Sequence, residues 1–208
     1  CNALEILFPE LDRLFGIAQR ADYHPEVDTG IHVLMALDQA TALDSDPATR
    51  FAVLVHDLGK GTTPKDVLPK HTGHEERGVQ LVNDLCDRFK IPNRYRELAV
   101  VVSRYHLLCH KAPTLRPTTI LKVLKGIGAL RQPQKLEQFI RCCESDARGR
   151  LGFENTTYES GLWLTQAFEA IQSIDNNEFI QKGLSGKQLG DAIDQRRQQL
   201  ISEFKQQP

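Results

Sequence analysis

The spacing of the apolar residues limits the fold of this chain more than any other feature. In segment after segment they recur every three or four residues, and the alternation of apolar and polar residues typical of half-buried strands is scarce. In "SDPATRFAVLVHDLG", we expect Ser45 or Asp46 to cap a helix that begins at Pro47 and stops at Gly59. Because this helix is apolar on nearly every side, it should lie at the centre of the domain.

The same spacing predicts helices along the whole chain, and therefore an all-α fold. The other predicted helices lie near residues 3–18, 29–43, 75–89, 94–110, 117–127, 133–148, 158–173 and 187–205. The last of them is amphipathic, so we expect it to pack on the rest. Its apolar residues are Leu189, Ile193, Leu200 and Phe204.

Composition and charge exclude several classes of protein. The chain has 208 residues, 40% hydrophobic and 25% charged, which is ordinary for one globular domain with or without an extension. A formal net charge of −1 disfavours a strongly basic nucleic-acid surface, although it is compatible with a local basic patch. No apolar run approaches the roughly 20 residues of a membrane span, so we expect no membrane partner.

The cysteines indicate a reducing compartment. Their odd number, the adjacent pair Cys142 and Cys143, and the lack of a C-x-x-C motif argue against a disulfide framework and a zinc ribbon. We therefore expect a cytoplasmic protein. The chain begins at Cys1 rather than methionine, which suggests a fragment of a longer protein.

The histidines give the first indication of function, because all seven fall within the first 110 residues. They are His24, His32, His56, His71, His74, His106 and His110. Several histidines on different helices, with aspartates beside them, indicate a metal site more than isolated core histidines do. His56 and Asp57 are predicted about 100° apart on the central helix, so that both could reach one ion.

Asp146 is the most informative of the acidic residues. Cys143, Phe139 and Leu136 precede it by three, seven and ten residues, which places its carboxylate on the apolar face of the predicted helix. A carboxylate there is costly unless it is paired or bound to a cation. We therefore expect it to share a metal with the histidines.

Four residues together form the ordered pattern H…HD…D. They are His32, His56, Asp57 and Asp146. Their order and setting resemble the HD-domain metal-dependent phosphohydrolases, an all-helical superfamily in which such residues hold a divalent cation. The resemblance implies a helical bundle, with additional helices at both ends of this chain. "HDLGKG" is similar to the family version in which Gly-Lys follows the His-Asp pair.

Two further histidines resemble the extra ligands of HD proteins with two metals. They are His74 in "HTGHEERG" and His106 in "SRYHLLCH". His110 lies one turn after His106, but Leu107 stands where a zincin has its glutamate, so we discount a metalloprotease. We expect His71 and His110 to be solvated or to contact the metal ligands without binding the metal themselves.

The ligand types suggest the chemistry. Imidazole with carboxylate suits Mn, Fe, Co, Ni or Zn, and carboxylate with water can also hold Mg. Such an ion acidifies a water for in-line attack on phosphorus, and cationic side chains should bind the phosphate. The candidates for phosphate binding are Lys60, Arg148 and Arg150, each of which is also explained as a surface charge. We place Lys60 first, as a catalytic residue beside His56 and Asp57, because Gly59 and Gly61 free the backbone around it.

A closer resemblance covers nearly the whole chain. The stretches "LFPELDRLFG", "YHPEVDTGIH", "HDLGKGTTP", "HTGHEERG" and "SDARGRLGFE" resemble the C-terminal half of bacterial multifunctional CCA-adding enzymes, tRNA nucleotidyltransferases with an attached HD domain. The resemblance implies that 1–22 connect to a missing N-terminal nucleotidyltransferase head, 23–155 form the phosphohydrolase domain, and 156–208 are a helical extension packed on it. Without the head, the chain should not add nucleotides.

The resemblance also implies activities and partners. In that family the HD part is associated with 2′,3′-cyclic phosphodiesterase, 2′-nucleotidase and phosphatase activities, with magnesium or nickel as the metal. The expected substrates are the tRNA 3′ end during processing or repair, or nucleotide phosphoesters, and a homodimer is compatible with the sequence.

Two other interpretations stay open. One is a non-catalytic helical module that positions tRNA for the missing head, and the other is a stand-alone HD nucleotidase that acts on free nucleotides. The intact H…HD…D pattern favours a hydrolase over the module. The basic residues that could contact RNA phosphates are Arg94, Arg96, Arg104, Lys122, Lys125, Arg196 and Arg197.

Overall fold

A computed structural model describes residues 2–43, 46–175 and 177–206, and their regular structure consists of eleven α-helices. The helices are α1 (Ala3–Leu7), α2 (Pro9–Asp12), α3 (Thr29–Ala42), α4 (Pro47–Val55), α5 (His74–Phe89), α6 (Asn93–His110), α7 (Pro117–Ile127), α8 (Gln134–Arg148), α9 (Glu159–Gln172), α10 (Asn177–Gln181) and α11 (Gly186–Lys205). Two 3₁₀ helices, Leu58–Thr62 and Ala112–Thr114, lie between them.

The all-α prediction is confirmed. Within the described residues there is no β-strand, and a single isolated β-bridge pairs Ala18 with Asp28. None of the helices in these residues has the length and apolar character needed to span a bilayer.

The chain forms two compact units. One comprises residues 1–107 and 138–158, and the other comprises 108–137 and 159–208. In the second unit, α11 packs against α7 and α9, and the rings of Trp163 and Phe204 lie 5.2 Å apart. Lys205 Nζ donates to the carbonyls of Pro113 at 2.9 Å and Leu115 at 2.6 Å, which fixes the end of α11. All the predicted site residues lie in the first unit.

The predicted helix over 3–18 is wrong. The chain forms two short helices instead, because Phe8 precedes Pro9 and takes a non-helical conformation with φ −134° and ψ 60°. A residue before proline is driven away from helical angles, and the proline then begins α2. α2 already ends at Asp12, and Gly16, with φ +80°, has left-handed rather than helical angles.

The central helix, α4, begins as predicted. Asp46 caps it by accepting a hydrogen bond from the Ala48 N–H at 3.0 Å, and Pro47 is the first helical residue. Ser45, the other predicted cap, lies outside the described residues. Ala48, Ala52 and Val53 are each at most 1% exposed, as an apolar central helix requires.

The end of this helix differs from the prediction. α4 stops at Val55, and the chain continues through Asp57 into the 3₁₀ helix Leu58–Thr62. Gly59 is there because of close packing on α5: a Cβ at this position would lie 2.0 Å from the His74 carbonyl oxygen. Neither Gly59 nor Gly61 has a positive φ, so our expectation that they free the backbone was wrong.

The remaining boundaries agree with the predicted helices within two residues, except for the short α10, which the spacing did not predict. α3 packs on α4, and α5 packs on the 3₁₀ helix that follows α4. These contacts bring the ends of several helices together around the predicted ligands.

Candidate metal centre

Six side chains predicted as metal ligands come together in the first unit. They are His32 on α3, His56 and Asp57 after α4, His74 at the start of α5, His106 on α6 and Asp146 on α8. Each is at most 5% exposed. Several overlapping groups of three have ligand atoms within 4.8 Å of one another, close enough to hold a metal ion.

The Asp146 carboxylate faces two imidazoles. Its Oδ1 lies 2.9 Å from His32 Nε2, and its Oδ2 lies 3.6 Å from His56 Nε2. The side chain points inward from α8, as its helical position predicted. Asp146, on α8, therefore contacts one histidine on α3 and one directly after α4.

The two carboxylate oxygens of Asp57 face different partners. Oδ2 lies 3.2 Å from His56 Nε2 and 2.6 Å from Lys60 Nζ. Oδ1 lies 3.3 Å from His74 Nε2 and 3.6 Å from His106 Nε2. Asp57 is thus at the centre of the cluster, with histidines on both sides.

The imidazoles are oriented from behind through Nδ1. The Nδ1–H groups of His56, His74 and His106 donate to the backbone carbonyls of Val53, His71 and Val102 at 2.7, 2.8 and 3.0 Å. Each carbonyl lies three or four residues earlier in the chain. A proton on Nδ1 leaves the lone pair of Nε2 directed into the cluster, which is the form that binds metals.

Burial and neighbouring charges shift the pKa values strongly. Burial opposes protonation of His56, but Asp57 and Asp146 outweigh it and raise the pKa of His56 to about 10. Burial raises the pKa of Asp57, but His56 and Lys60 outweigh it and hold that pKa well below its usual range. Burial lowers the pKa of His106 to about 3, so this ring is neutral.

The polar atoms at the centre lack well-aligned partners. Among the described residues, His56 Nε2 and Asp57 Oδ1 are buried and make no hydrogen bond of adequate geometry, while Asp57 Oδ2 forms an ion pair with Lys60 Nζ at 2.6 Å. Burying the first two atoms without a hydrogen bond is costly. A divalent cation would satisfy them, so the donors present fit a metal ion.

Lys60, the predicted phosphate ligand, lies inside the cluster. It is 5% exposed, and its Nζ donates to Gln19 Oε1 at 2.6 Å in addition to its contact with Asp57. The buried ammonium is held by a carboxylate and an amide.

Arg148 and Arg150, the other two predicted phosphate ligands, contact protein groups that are not part of the cluster. Arg148 donates to Glu144 Oε1 and to the Glu154 carbonyl. Arg150 donates to the Ala147 carbonyl and lies over the Phe153 ring. Their role in phosphate binding stays a prediction.

Two residues beside the cluster, Glu26 and Gln19, were missed by the sequence reasoning. Glu26 contacts both His24 and His32, and Gln19 holds Lys60. Burial opposes ionisation of Glu26, but His32 outweighs it and lowers the pKa of Glu26 to about 2; burial lowers the pKa of His24 to about 4. The only signal for Glu26 was its place in "YHPEVDTGIH", because a ligand histidine commonly has an acidic partner.

The two histidines not expected as ligands lie outside the cluster. The His71 side chain bonds to Thr63 Oγ1 at 2.8 Å, while its backbone carbonyl orients His74. The His110 carbonyl accepts a hydrogen bond from Ser160 Oγ in the second unit.

Most of the basic residues considered for RNA contact are ion-paired within their own unit. The pairs are Arg94 with Asp46, Arg96 with Asp87, Arg104 with Glu76, Lys125 with Asp194, Arg196 with Glu203 and Arg197 with Asp194. A carboxylate beside each cation weakens its attraction for phosphate. Paired in this way, these cations are a poor match for a polyanion.

Comparison with known proteins agrees with the geometry. The HD-domain family model matches residues 29–138, which include every proposed ligand except Asp146. Multifunctional CCA proteins of Thioalkalivibrio sulfidiphilus and Teredinibacter turnerae are 51% and 49% identical, each over 99% of this chain. That of Methylococcus capsulatus is 50% identical over 95%. The chain spans about half the length of these curated relatives, 50%, 50% and 47%.

Proposed function

Because this chain belongs to the HD-domain family, we propose that it hydrolyses phosphate esters with a divalent metal ion. The proposed ligands of that ion are His32, His56, Asp57 and Asp146. One observation carries the proposal: buried imidazoles, oriented through Nδ1, direct Nε2 at the carboxylates of Asp57 and Asp146. A purely structural core would replace this costly arrangement by apolar residues.

The donor set favours one class of metal. With several imidazoles and two carboxylates, the cluster suits Mn, Fe, Co, Ni or Zn better than Mg, which prefers an all-oxygen shell. Nickel fits both the donors and the resemblance to CCA-adding enzymes. We therefore place nickel first for this site, with magnesium as the second metal that the resemblance implies.

A second ion would complete the cluster. His74 and His106 both face Asp57 Oδ1, while His56 faces Oδ2, so His74, His106 and Asp57 would hold the second ion. The Nε2 atoms of His74 and His106 are 3.5 Å apart, which suits two ligands of one ion. Metal analysis should find up to two ions per chain, and His74→Ala should reduce the content by one.

The metal would supply Lewis acidity, polarising a phosphoryl oxygen and making water acidic enough to attack phosphorus at neutral pH. The protein supplies position and charge. Lys60 has three N–H donors, and the contacts with Gln19 and Asp57 account for two of them. We propose that the third binds a phosphate oxygen and stabilises the negative charge that develops there.

The substrate class rests on the resemblance to CCA-adding enzymes. We propose that the chain is the HD part of such a protein, that it hydrolyses 2′,3′-cyclic phosphates, 2′-phosphates and phosphomonoesters at tRNA 3′ ends, and that it acts in the cytoplasm beside a nucleotidyltransferase head. Free nucleotides are the substrate class expected of a stand-alone nucleotidase. The proposed boundaries of the hydrolase domain are residues 23 and 155, with 156–208 as an extension.

The non-catalytic tRNA-positioning module is the weaker candidate. It needs a surface that attracts a polyanion, whereas the ion pairs described above involve six of the seven basic residues considered for RNA contact. It also gives no reason for a buried cluster of four imidazoles and two carboxylates.

A hydrolysis assay tests the proposal. The purified chain, loaded separately with Ni²⁺, Mn²⁺, Co²⁺ or Mg²⁺, should hydrolyse 2′,3′-cyclic AMP and p-nitrophenyl phosphate. Asp57→Ala and Asp146→Asn should abolish both reactions and lower the bound metal. Glu10→Gln is the matched control, because Glu10 is also a buried carboxylate but pairs with Arg88. A wild-type protein that is inert with every metal yet binds tRNA would favour the module.

A further inference from the structure

Glu26 is a buried carboxylate outside the set of proposed ligands. Its side chain is 3% exposed and lies between two imidazoles. His24 Nδ1–H donates to Glu26 Oε1 at 2.9 Å. His32 Nδ1 lies 3.0 Å from the same oxygen, although its N–H is not aligned as a hydrogen bond. One carboxylate oxygen therefore faces both rings.

The backbone beside Glu26 is strained. Val27 has φ +60°, in the left-handed region, where a β-branched residue costs about 1–3 kcal/mol. Two hydrogen bonds hold it there: the Gln19 N–H donates to the Val27 carbonyl at 2.7 Å, and the Val27 N–H donates to the His24 carbonyl at 2.9 Å. The turn therefore fixes Glu26 just before α3, which carries His32.

We propose that Glu26 is a positioning residue of the metal centre, which holds the His32 ring at Nδ1 so that Nε2 faces Asp146 and the ion. This inference rests on the proposed function, because it requires His32 to be a ligand. A partner that fixes the other ring nitrogen orients a metal-bound imidazole and makes it a stronger base. His24 in turn holds the Glu26 oxygen in place.

The geometry distinguishes His32 from the other histidines of the cluster. His56, His74 and His106 are oriented by neutral backbone carbonyls. His32 instead has a carboxylate at each ring nitrogen, Glu26 at Nδ1 and Asp146 at Nε2. An anionic partner donates more electron density to an imidazole than a carbonyl does. Loss of Glu26 should therefore weaken metal binding by His32.

Zinc titration of three variants tests the inference. Glu26→Gln keeps the size and one acceptor oxygen, Glu26→Ala removes both, and Glu10→Gln removes a buried charge elsewhere. With Zn²⁺ as the probe and a chromophoric chelator as competitor, we expect affinity to fall about tenfold in Glu26→Gln and up to about 100-fold in Glu26→Ala. Glu10→Gln should lower the melting temperature and leave zinc affinity unchanged.

Nitrogen-15 NMR of the zinc-loaded protein gives a readout that a merely structural role would not move. In the wild type the Nδ1–H of His32 should exchange slowly with water; in Glu26→Ala it should exchange fast, with partial recovery in Glu26→Gln. The Nδ1–H signals of His56 and His106 serve as internal controls.

Two results would overturn the inference. One is a Glu26→Ala protein with wild-type zinc affinity and an unchanged His32 signal. The other is a wild-type protein that binds neither Zn²⁺, Ni²⁺ nor Mg²⁺, which would overturn the proposed function as well. Zinc binding that depends on Glu26 without ester hydrolysis would support the positioning role and count against the hydrolase alone.

Discussion

Lys60 Nζ lies 2.6 Å from Asp57 Oδ2, so the chain itself places a cation beside the central carboxylate of the proposed metal centre. A divalent ion bound there would share this anionic partner with Lys60, and the two cations would repel each other. The same lysine is proposed to bind the phosphate of the substrate. Metal binding and hydrolysis should respond to its removal in opposite directions.

Lys60→Met should bind Ni²⁺ or Zn²⁺ more tightly and hydrolyse phosphate esters more slowly. A charged hydrogen bond contributes about 1.5–3 kcal/mol, so hydrolysis should fall roughly 10- to 100-fold. Metal titration and steady-state kinetics measure the two effects. Lys65→Met is the control, because Lys65 lies on the exposed loop after the same turn. Weaker metal binding in Lys60→Met would contradict the expectation that Lys60 and the metal ion compete for Asp57.

Metal affinity should rise with pH. The pKa of His56 is raised to about 10, so this ring is protonated at neutral pH without metal and must lose a proton to bind it. Burial opposes protonation of His32, but Asp146 and Glu26 outweigh it and raise its pKa as well. His106, with a pKa lowered to about 3, is already neutral and releases none. Affinity should therefore increase about tenfold per pH unit for each proton released.

Calorimetric zinc titrations at pH 6, 7 and 8, in buffers of different ionisation enthalpy, would count these protons. The His71→Gln variant is the control, because His71 lies outside the cluster and burial lowers its pKa to about 4. A zinc affinity that does not change with pH would show that metal binding releases no protons from the imidazoles.

Gly59→Ala should destabilise the protein and disturb the site. The added Cβ would lie 2.0 Å from the His74 carbonyl oxygen and 2.7 Å from the Gly78 nitrogen, both backbone atoms that cannot move cheaply. We expect a loss of about 3 kcal/mol in the free energy of unfolding, at the upper end of overpacking costs.

A matched substitution separates this clash from the general effect of replacing glycine. Gly190 lies in α11 with open space at its Cβ position, so Gly190→Ala should raise stability by about 0.5–1 kcal/mol. Denaturant unfolding measures both variants. Equal stability of Gly59→Ala and the wild type would mean that α5 approaches the turn less closely than described.

Val27→Gly should stabilise the chain by about 1 kcal/mol, because glycine adopts φ +60° without the strain that valine bears. Val27 is 40% exposed, so little packing is lost. Val27→Ala keeps the strained conformation and should change the melting temperature much less. A lower melting temperature for Val27→Gly than for Val27→Ala would show that the turn is not strained.

The helical class and most helix boundaries could be predicted, because a 3.6-residue pattern survives in every long helix. The same pattern identified Asp146, since a carboxylate on an apolar face needs a partner. The prediction failed over 3–18, where the conformations of Phe8 and Gly16 depend on local backbone sterics that apolar spacing does not record.

The roles of Glu26 and Gln19 could not be predicted from a pattern. Both lie in the non-helical stretch between α2 and α3, where the backbone follows a turn rather than a period, and their partners are brought close only by the tertiary fold. Gly59 was similarly misread as a helix stop, because the carbonyl it accommodates belongs to His74, on another helix.

The contact between His32 and Asp146 joins positions 114 residues apart in the sequence. An ion bound to both would act as a reversible cross-link across that loop, in a chain whose described cysteines are buried thiols. A cross-link across a long loop limits mainly the freedom of the unfolded chain, and it also joins the two parts of a chain that is cut within the loop. A chain nicked by a protease at the exposed residues 64–66 would stay in one piece while metal is bound, and chelation would let its fragments part.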